Sequence, residues 1–405
     1  MRYLATALLC VASLVGSAYG QSDCTGDISG DGRTDGVDLA IVLTNWGPCN
    51  PGSAISGVYP QSGSTAGGTP IAIVGVDLGA TASVTIDGVA VQSFSVVSPT
   101  VVTAVTPPGG TGAKTLALRN AQGQQIASAS FAYFATSVPW GSVLEQQPDP
   151  TVITNPALRN AIVASGMPWR VRDNTTGIEM LLVPPGTFAM GAGPDVLDAH
   201  WQELPQHQVT LTSAYYMSRT EVTQGQWVAR TGSNPASFQP PMLPTADLSL
   251  PIETISWDAI QTFLTGTGLR LPTEAEWEFA YRGGTTTEYH GAAPFPSGTS
   301  DESLVPQIAW VDLNALGRTR PVGTKLANGF GLRDMGGNVW EFCQDRFAGY
   351  TAEPQTDPTG AEQGGPVVRG GAYNDQGYRS RASMRLPLLT DSAASHVGFR
   401  VARNP

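Results

Sequence analysis

From residue 55 to residue 134 the chain alternates short β-prone runs with turn residues, at 70–76, 82–86, 101–106, 114–119 and 128–134. A spacing of roughly ten residues between such runs predicts an all-β sandwich. Asp87-Gly88 stands between the run ending at Ile86 and the one opening at Val89. An Asp-Gly step there is a hairpin signal, because both positions tolerate positive φ. Ahead of this module, residues 39–46 form an apolar run that predicts a short helix ending at Gly47. The run at 4–15 is apolar as well and follows the positive Arg2. It falls short of the roughly 18 residues that cross a bilayer, and no later run reaches that length. With small residues at Ala18 and Gly20, residues 1–20 read as an export signal cleaved before Gln21.

A stretch rich in Pro, Gln and Asp at 135–151 reads as a linker, and the texture then changes. Helices are announced by their caps rather than by long periodic stretches. Thr273 to Glu276 is a capping box opening a helix that runs to about Arg282 before Gly283. Ser256 caps a short helix over 257–264. Trp277 and Phe279 read as core residues. Glu274, Glu276 and Glu278 read as capping and a solvated face.

A length of 405 residues suggests two or three domains. The chain carries 33 acidic against 22 basic residues, a net charge of −11, which excludes a nucleic-acid partner. Its 47 Gly and 31 Pro are about a fifth of the chain, below the roughly 25–30% of low-complexity segments. Hydrophobic residues at 41% leave enough to bury real cores. Of the four cysteines, Cys10 falls in the export signal. Cys24 and Cys49 flank one short segment and are expected to form a disulfide, as an exported context permits. Cys343 has no evident partner and reads as a buried, inert thiol.

Residues 27–38 read DISGDGRTDGVD. Asp27, Ser29, Asp31, Asp35 and Asp38 place oxygens at loop positions 1, 3, 5, 9 and 12, Gly32 allows the sharp turn, and Arg33 offers its carbonyl. A hard cation wants six to eight oxygens around one point, so calcium is expected here. The segment at 21–50 resembles one half of a type I dockerin. With a single repeat, an anchor or spacer is expected rather than docking to a cohesin. The next module, opening ISGVYPQSGSTAGGTPIAIVGVDL, resembles the IPT/TIG branch of immunoglobulin-like folds over 55–134.

Six ordered motifs fill residues 152–405: MLLVPPGTFAMG from Met180, EVTQGQW from Glu221, LRLPTEAEWEFA from Leu269, GLRDMGGNVWEF from Gly331, VRGGAY from Val368, and Gly398-Phe399-Arg400. Together they resemble the formylglycine-generating enzyme, or sulfatase-modifying factor, family. The resemblance implies a mixed α/β, irregular fold related to C-type lectin-like domains. It also implies oxidation of a sulfatase cysteine to formylglycine with oxygen and Cu(I), the copper being held by two cysteines shortly after the VRGG-type motif. Cu(I) is soft and prefers thiolate.

This chain reads Ala372-Tyr373-Asn374-Asp375-Gln376-Gly377-Tyr378-Arg379-Ser380-Arg381 there, without a cysteine. Ala372 stands for a pocket serine of the family, Phe342 for a tryptophan, and His396 for an asparagine. Copper is therefore not expected. The candidate pocket is Asn374, Asp375, His396 and Arg400. The family's structural calcium maps onto Gly336, Gly337, Val339 and Glu341, whereas its second calcium loop, around Ala309-Trp310-Val311, is altered. His200 and His207 read as surface residues, and neither a nucleotide loop nor a catalytic triad stands out. The expected function is an exported, non-catalytic binding protein for an extracellular protein, peptide or glycan. The alternative is an active oxidase that matures exported sulfatases.

Overall fold

The computed structural model describes residues 52–196, 198–292 and 295–405. The export signal, the calcium loop at 27–38 and the Cys24–Cys49 pair lie outside the described residues. The first domain is built from β1 (Ala54–Tyr59), β2 (Ser62–Ser64), β3 (Pro70–Val76), β4 (Ser83–Ile86), β5 (Val89–Ala90), β6 (Ser93–Ser98), β7 (Val101–Val105), β8 (Gly112–Arg119) and β9 (Gln125–Phe134). They form two sheets in the orders β1-β3-β7-β6 and β2-β9-β8-β4-β5. Successive side chains of a strand face opposite ways. Ile71, Ile73 and Val102 of one sheet therefore meet Val84, Leu116, Leu118 and Phe131 of the other in one core. Asp87 and Gly88 take φ of 52° and 80° and close β4 onto β5, pairing Ile86 with Val89. The all-β sandwich expected at 55–134 is present.

The expected linker at 135–151 needs correction. It contributes β10 (Gly141–Glu145), which pairs antiparallel with β11 (Arg170–Asp173) from Gly141↔Asp173 onward. β11 continues through β12 (Glu179–Val183) and β15 (Tyr215–Ser218) to the strand Ala402–Arg403, a five-stranded sheet. β10 is held by a partner distant in sequence, so its own composition carries little strand signal. β13 (Gly186–Met190) and β14 (His207–Leu211) form a hairpin beside this sheet.

The remainder is a mixed α/β assembly of short pieces, as expected. Thr273 accepts from the Glu276 amide while Glu276 Oε2 accepts from the Thr273 amide, at 3.1 and 2.8 Å, and the helix Glu274–Arg282 ends at Gly283 with φ 54°. The helix Trp257–Leu264 is capped by Ser256. Trp277, Ala280 and Tyr281 turn one face of the 274–282 helix into the core against Leu271, Phe330, Met335 and Phe342. A four-stranded sheet lies beyond that helix, ordered Arg385–Pro387, Pro366–Arg369, Trp340–Arg346 and Val397–Gly398. It brings the VRGG, GNVWE and GFR motifs to one place.

Candidate functional site

The strand Pro366–Arg369 ends at Gly370 and Gly371, with φ of 96° and 74°. A Cβ on Gly371 would stand 2.8 Å from the carbonyl oxygen of Arg379, so only glycine lets the chain fold the segment 372–380 back on itself. In that segment Ala372 is buried, Tyr373 packs edge-on against Phe238 at 5.2 Å, and Asn374 is exposed. Asp375 is pinned. One carboxylate oxygen accepts from Trp340 Nε1 at 2.7 Å and from the Ala372 amide at 3.0 Å, and the other lies 3.5 Å from Arg379. The half-buried His396 reaches the same tryptophan through its backbone, its carbonyl accepting from the Trp340 amide at 2.9 Å.

Asp375 and His396 are thus brought together around Trp340, with Asn374 at the rim. Arg400 does not join them. It is fully buried and donates to both oxygens of Glu341, at 2.6 and 2.7 Å. Its remaining donors reach the carbonyls of Ser218, Arg333 and Asp334. Arg400 is an interior ion-pair residue rather than a pocket residue.

Copper does not fit this site. The segment where a thiolate pair would be needed presents an exposed amide and a carboxylate already claimed by an indole. Cys343 cannot substitute. It is free and lies in the hydrophobic core, and burial holds its thiol well above the usual cysteine range. The calcium stretch gives a related result. Gly336, Gly337 and Val339 are buried beside Glu341, but the Glu341 carboxylate accepts from Arg400 on both oxygens and from Trp277 Nε1 at 2.6 Å. The guanidinium occupies the bidentate position a cation would take, so Glu341 fits an ion pair and not a calcium ligand. Among the described residues no three His, Cys, Asp or Glu side chains converge as a metal set.

A buried charge network beneath the site went unread in the sequence. Glu274 and Glu278 are not on a solvated face. Glu274 accepts from Arg369, Arg385 and the hydroxyl of Tyr350, and Glu278 from Arg282 and Arg369. Glu203 holds Arg381 at 2.5 Å and Ser383 at 2.6 Å. Of the three helix glutamates expected to cap or to form a solvated face, Glu276 does cap the helix. His207 is also buried, tilted against Tyr350 at 4.8 Å, while His200 is exposed as expected. The available signal was the run of arginines at 369, 379, 381, 385 and 400 in a chain with only 14% charged residues.

The fold is thus an all-β domain followed by a mixed α/β domain whose motifs meet at one short sheet. Residues 169–405 match the sulfatase-modifying factor enzyme 1-like domain family, and residues 53–134 match the IPT/TIG domain. The chain belongs to the sulfatase-modifying factor family. The formylglycine-generating enzyme of Streptomyces coelicolor is 34% identical over 166 residues, covering 38% of this chain and 52% of that enzyme. The enzyme of the same name from Mycobacterium tuberculosis is 34% identical over 176 residues, covering 38% and 58%. A serine/threonine-protein kinase, pkn1 of Chlamydia pneumoniae, is 29% identical over 251 residues, covering 56% of this chain and 38% of the kinase. The chain spans about half the length of the curated relatives it matches. Among solved structures, Treponema denticola variable protein 1 aligns with TM-score 0.49 and 26% identity, over 57% of this chain and 98% of its own.

Proposed function

We propose that this chain is an exported, non-catalytic binding protein that keeps the sulfatase-modifying fold without its oxidase chemistry. The observation that carries this reading is Asp375. Where the chemistry needs paired thiolates, the chain has a carboxylate hydrogen-bonded to Trp340, a hard ligand already engaged. The surface formed by Asn374, Asp375 and His396 would then meet a protein, peptide or glycan partner outside the cell. No helix among the described residues is long and apolar enough to cross a membrane.

The full chain, loaded with Cu(I) and given oxygen and a peptide carrying a cysteine–x–proline–x–arginine signal, is expected to leave the cysteine mass unchanged by mass spectrometry. Conversion to the aldehyde would overturn the reading and restore the alternative, a formylglycine-generating oxidase. The 34% identity to enzymes of that name favours this alternative.

Calcium belongs, in this proposal, to the N-terminal loop at 27–38, which would serve as an anchor or spacer. Replacing Asp27 and Asp31 with alanine removes two of its five side-chain oxygens. Calorimetry is expected to show the loss of one calcium equivalent per chain, and an unchanged stoichiometry would refute the loop as a site.

A further inference from the structure

A cavity of about 630 Å³ is lined by Arg172, Glu179, Arg219, Thr223, Gln226 and Arg333 among others, and Arg400 donates to the Arg333 carbonyl at its edge. Three segments build its floor. The Arg219 amide donates to the Glu179 carbonyl and the Arg333 amide to the Arg219 carbonyl, both at 2.9 Å, so the three cavity-lining residues are neighbours.

The charge there is unbalanced. Arg170, Arg172 and Arg219 all lean on Glu179, at 2.6, 2.8 and 3.6 Å, and Arg170 also reaches Glu145. Among the described residues no carboxylate lies within ion-pair distance of Arg333. Its Nη1 donates to the carbonyls of Gly323 and Lys325, and its Nε is buried with no partner. Three guanidiniums therefore share the two carboxylates Glu145 and Glu179, and the fourth, Arg333, has only the buried Asp334 nearby, which accepts from the Gly323 amide, so cations outnumber carboxylates in a chain whose net charge is −11. Burial, and then the charges of Arg170 and Arg333, press the Arg219 guanidinium below its usual range against the pull of Glu179. A guanidinium does not shed its proton in a protein, so these side chains keep their positive charge at the cavity.

The neighbouring helix Gln224–Thr231 points the same way. Its N-terminus lies at the cavity through Thr223 and Gln226, and its first turn carries no acidic residue. The amides of Gln224, Gly225 and Gln226 are already used, by Leu250, Leu248 and Thr223. The helix thus adds a positive field rather than free donors.

We propose that this cavity binds an oxyanion (carboxylate, sulfate or phosphate), with Arg172, Arg219 and Arg333 as its donors. Guanidinium forks match the paired oxygens of such groups and give the stronger class of hydrogen bond. The site is separate from the Asp375 surface and does not rest on the absence of catalysis.

The test is calorimetry of the full chain at fixed ionic strength with inorganic phosphate, citrate and digalacturonate. Saturable binding is expected, weakened about tenfold or more in Arg172→Gln plus Arg219→Gln through the loss of charge-assisted contacts. Arg172→Glu, at a side chain 51% exposed, changes the charge without touching the core and should weaken binding in the same direction. Tighter binding of the disaccharide than of the two small anions assigns the site to an acidic sugar, and equal binding assigns it to a free anion. Absence of saturable heat with all three probes, or affinities unchanged in both variants, overturns the proposal.

Discussion

Replacing Arg369 with methionine should cost the C-terminal domain about 3–5 kcal/mol, the usual penalty for breaking a buried ion pair from one side. The guanidinium is fully buried, with Glu274 at 3.0 Å and Glu278 at 2.5 Å. It also satisfies the carbonyls of Ala382 and Ser383 and lies over the ring of Trp277 at 5.2 Å. Methionine fills the volume and returns none of these donors. Glu274 would keep Arg385 and the Tyr350 hydroxyl, but the Glu278 oxygen at Arg369 would be left buried and unpaired. Urea unfolding measures the loss, and a change under about 1 kcal/mol would mean the network is dispensable.

The same pairs set a pH dependence. Burial pushes the Glu278 carboxyl up, and Arg282 and Arg369 outweigh it, leaving the group below the ordinary carboxylate range. A depressed folded value contributes stability above the unfolded pKa and loses it as pH falls through the folded value. Glu203, held by Arg381 and Ser383 against its own burial, behaves the same way. Acid unfolding of Arg369→Met should therefore begin at higher pH than that of the parent chain.

Much of the fold was legible because its signals are local. The Asp87-Gly88 step, the Thr273 capping box, the Ser256 cap and the Gly283 stop each act within a few residues, and each is found where expected. The charge network was not legible for the opposite reason. Glu274 meets Arg369 across 95 residues and Arg385 across 111, and Glu278 meets Arg369 across 91. A glutamate on a helix looks the same in sequence whether its partner is water or an arginine a hundred positions on. Arg400 was misplaced by the same blindness, since a motif places a residue near a site without saying which way its side chain turns. The missing thiolates, by contrast, could be read directly, because ligand chemistry depends on residue identity alone.

Glu341 separates a metal site from an ion pair, and the two make different predictions. Glu341→Gln should destabilise the domain by about 3 kcal/mol, with the same fall in melting temperature in calcium and in chelator. The glutamine keeps the volume and one acceptor but removes the charge that neutralises Arg400. Part of the loss is offset, because Glu221 and Asp334 lie buried in the same neighbourhood. Burial pushes both carboxyls up, and Asp334 and Glu341 push Glu221 further. Removing one negative charge relaxes that repulsion, yet it leaves a fully buried guanidinium without its carboxylate. Differential scanning calorimetry with and without chelator distinguishes the cases. A loss confined to the calcium-loaded protein would make Glu341 a metal ligand, displacing Arg400 from the position found here. An equal loss in both conditions means that this arginine, rather than a cation, holds the GNVWE and GFR motifs together.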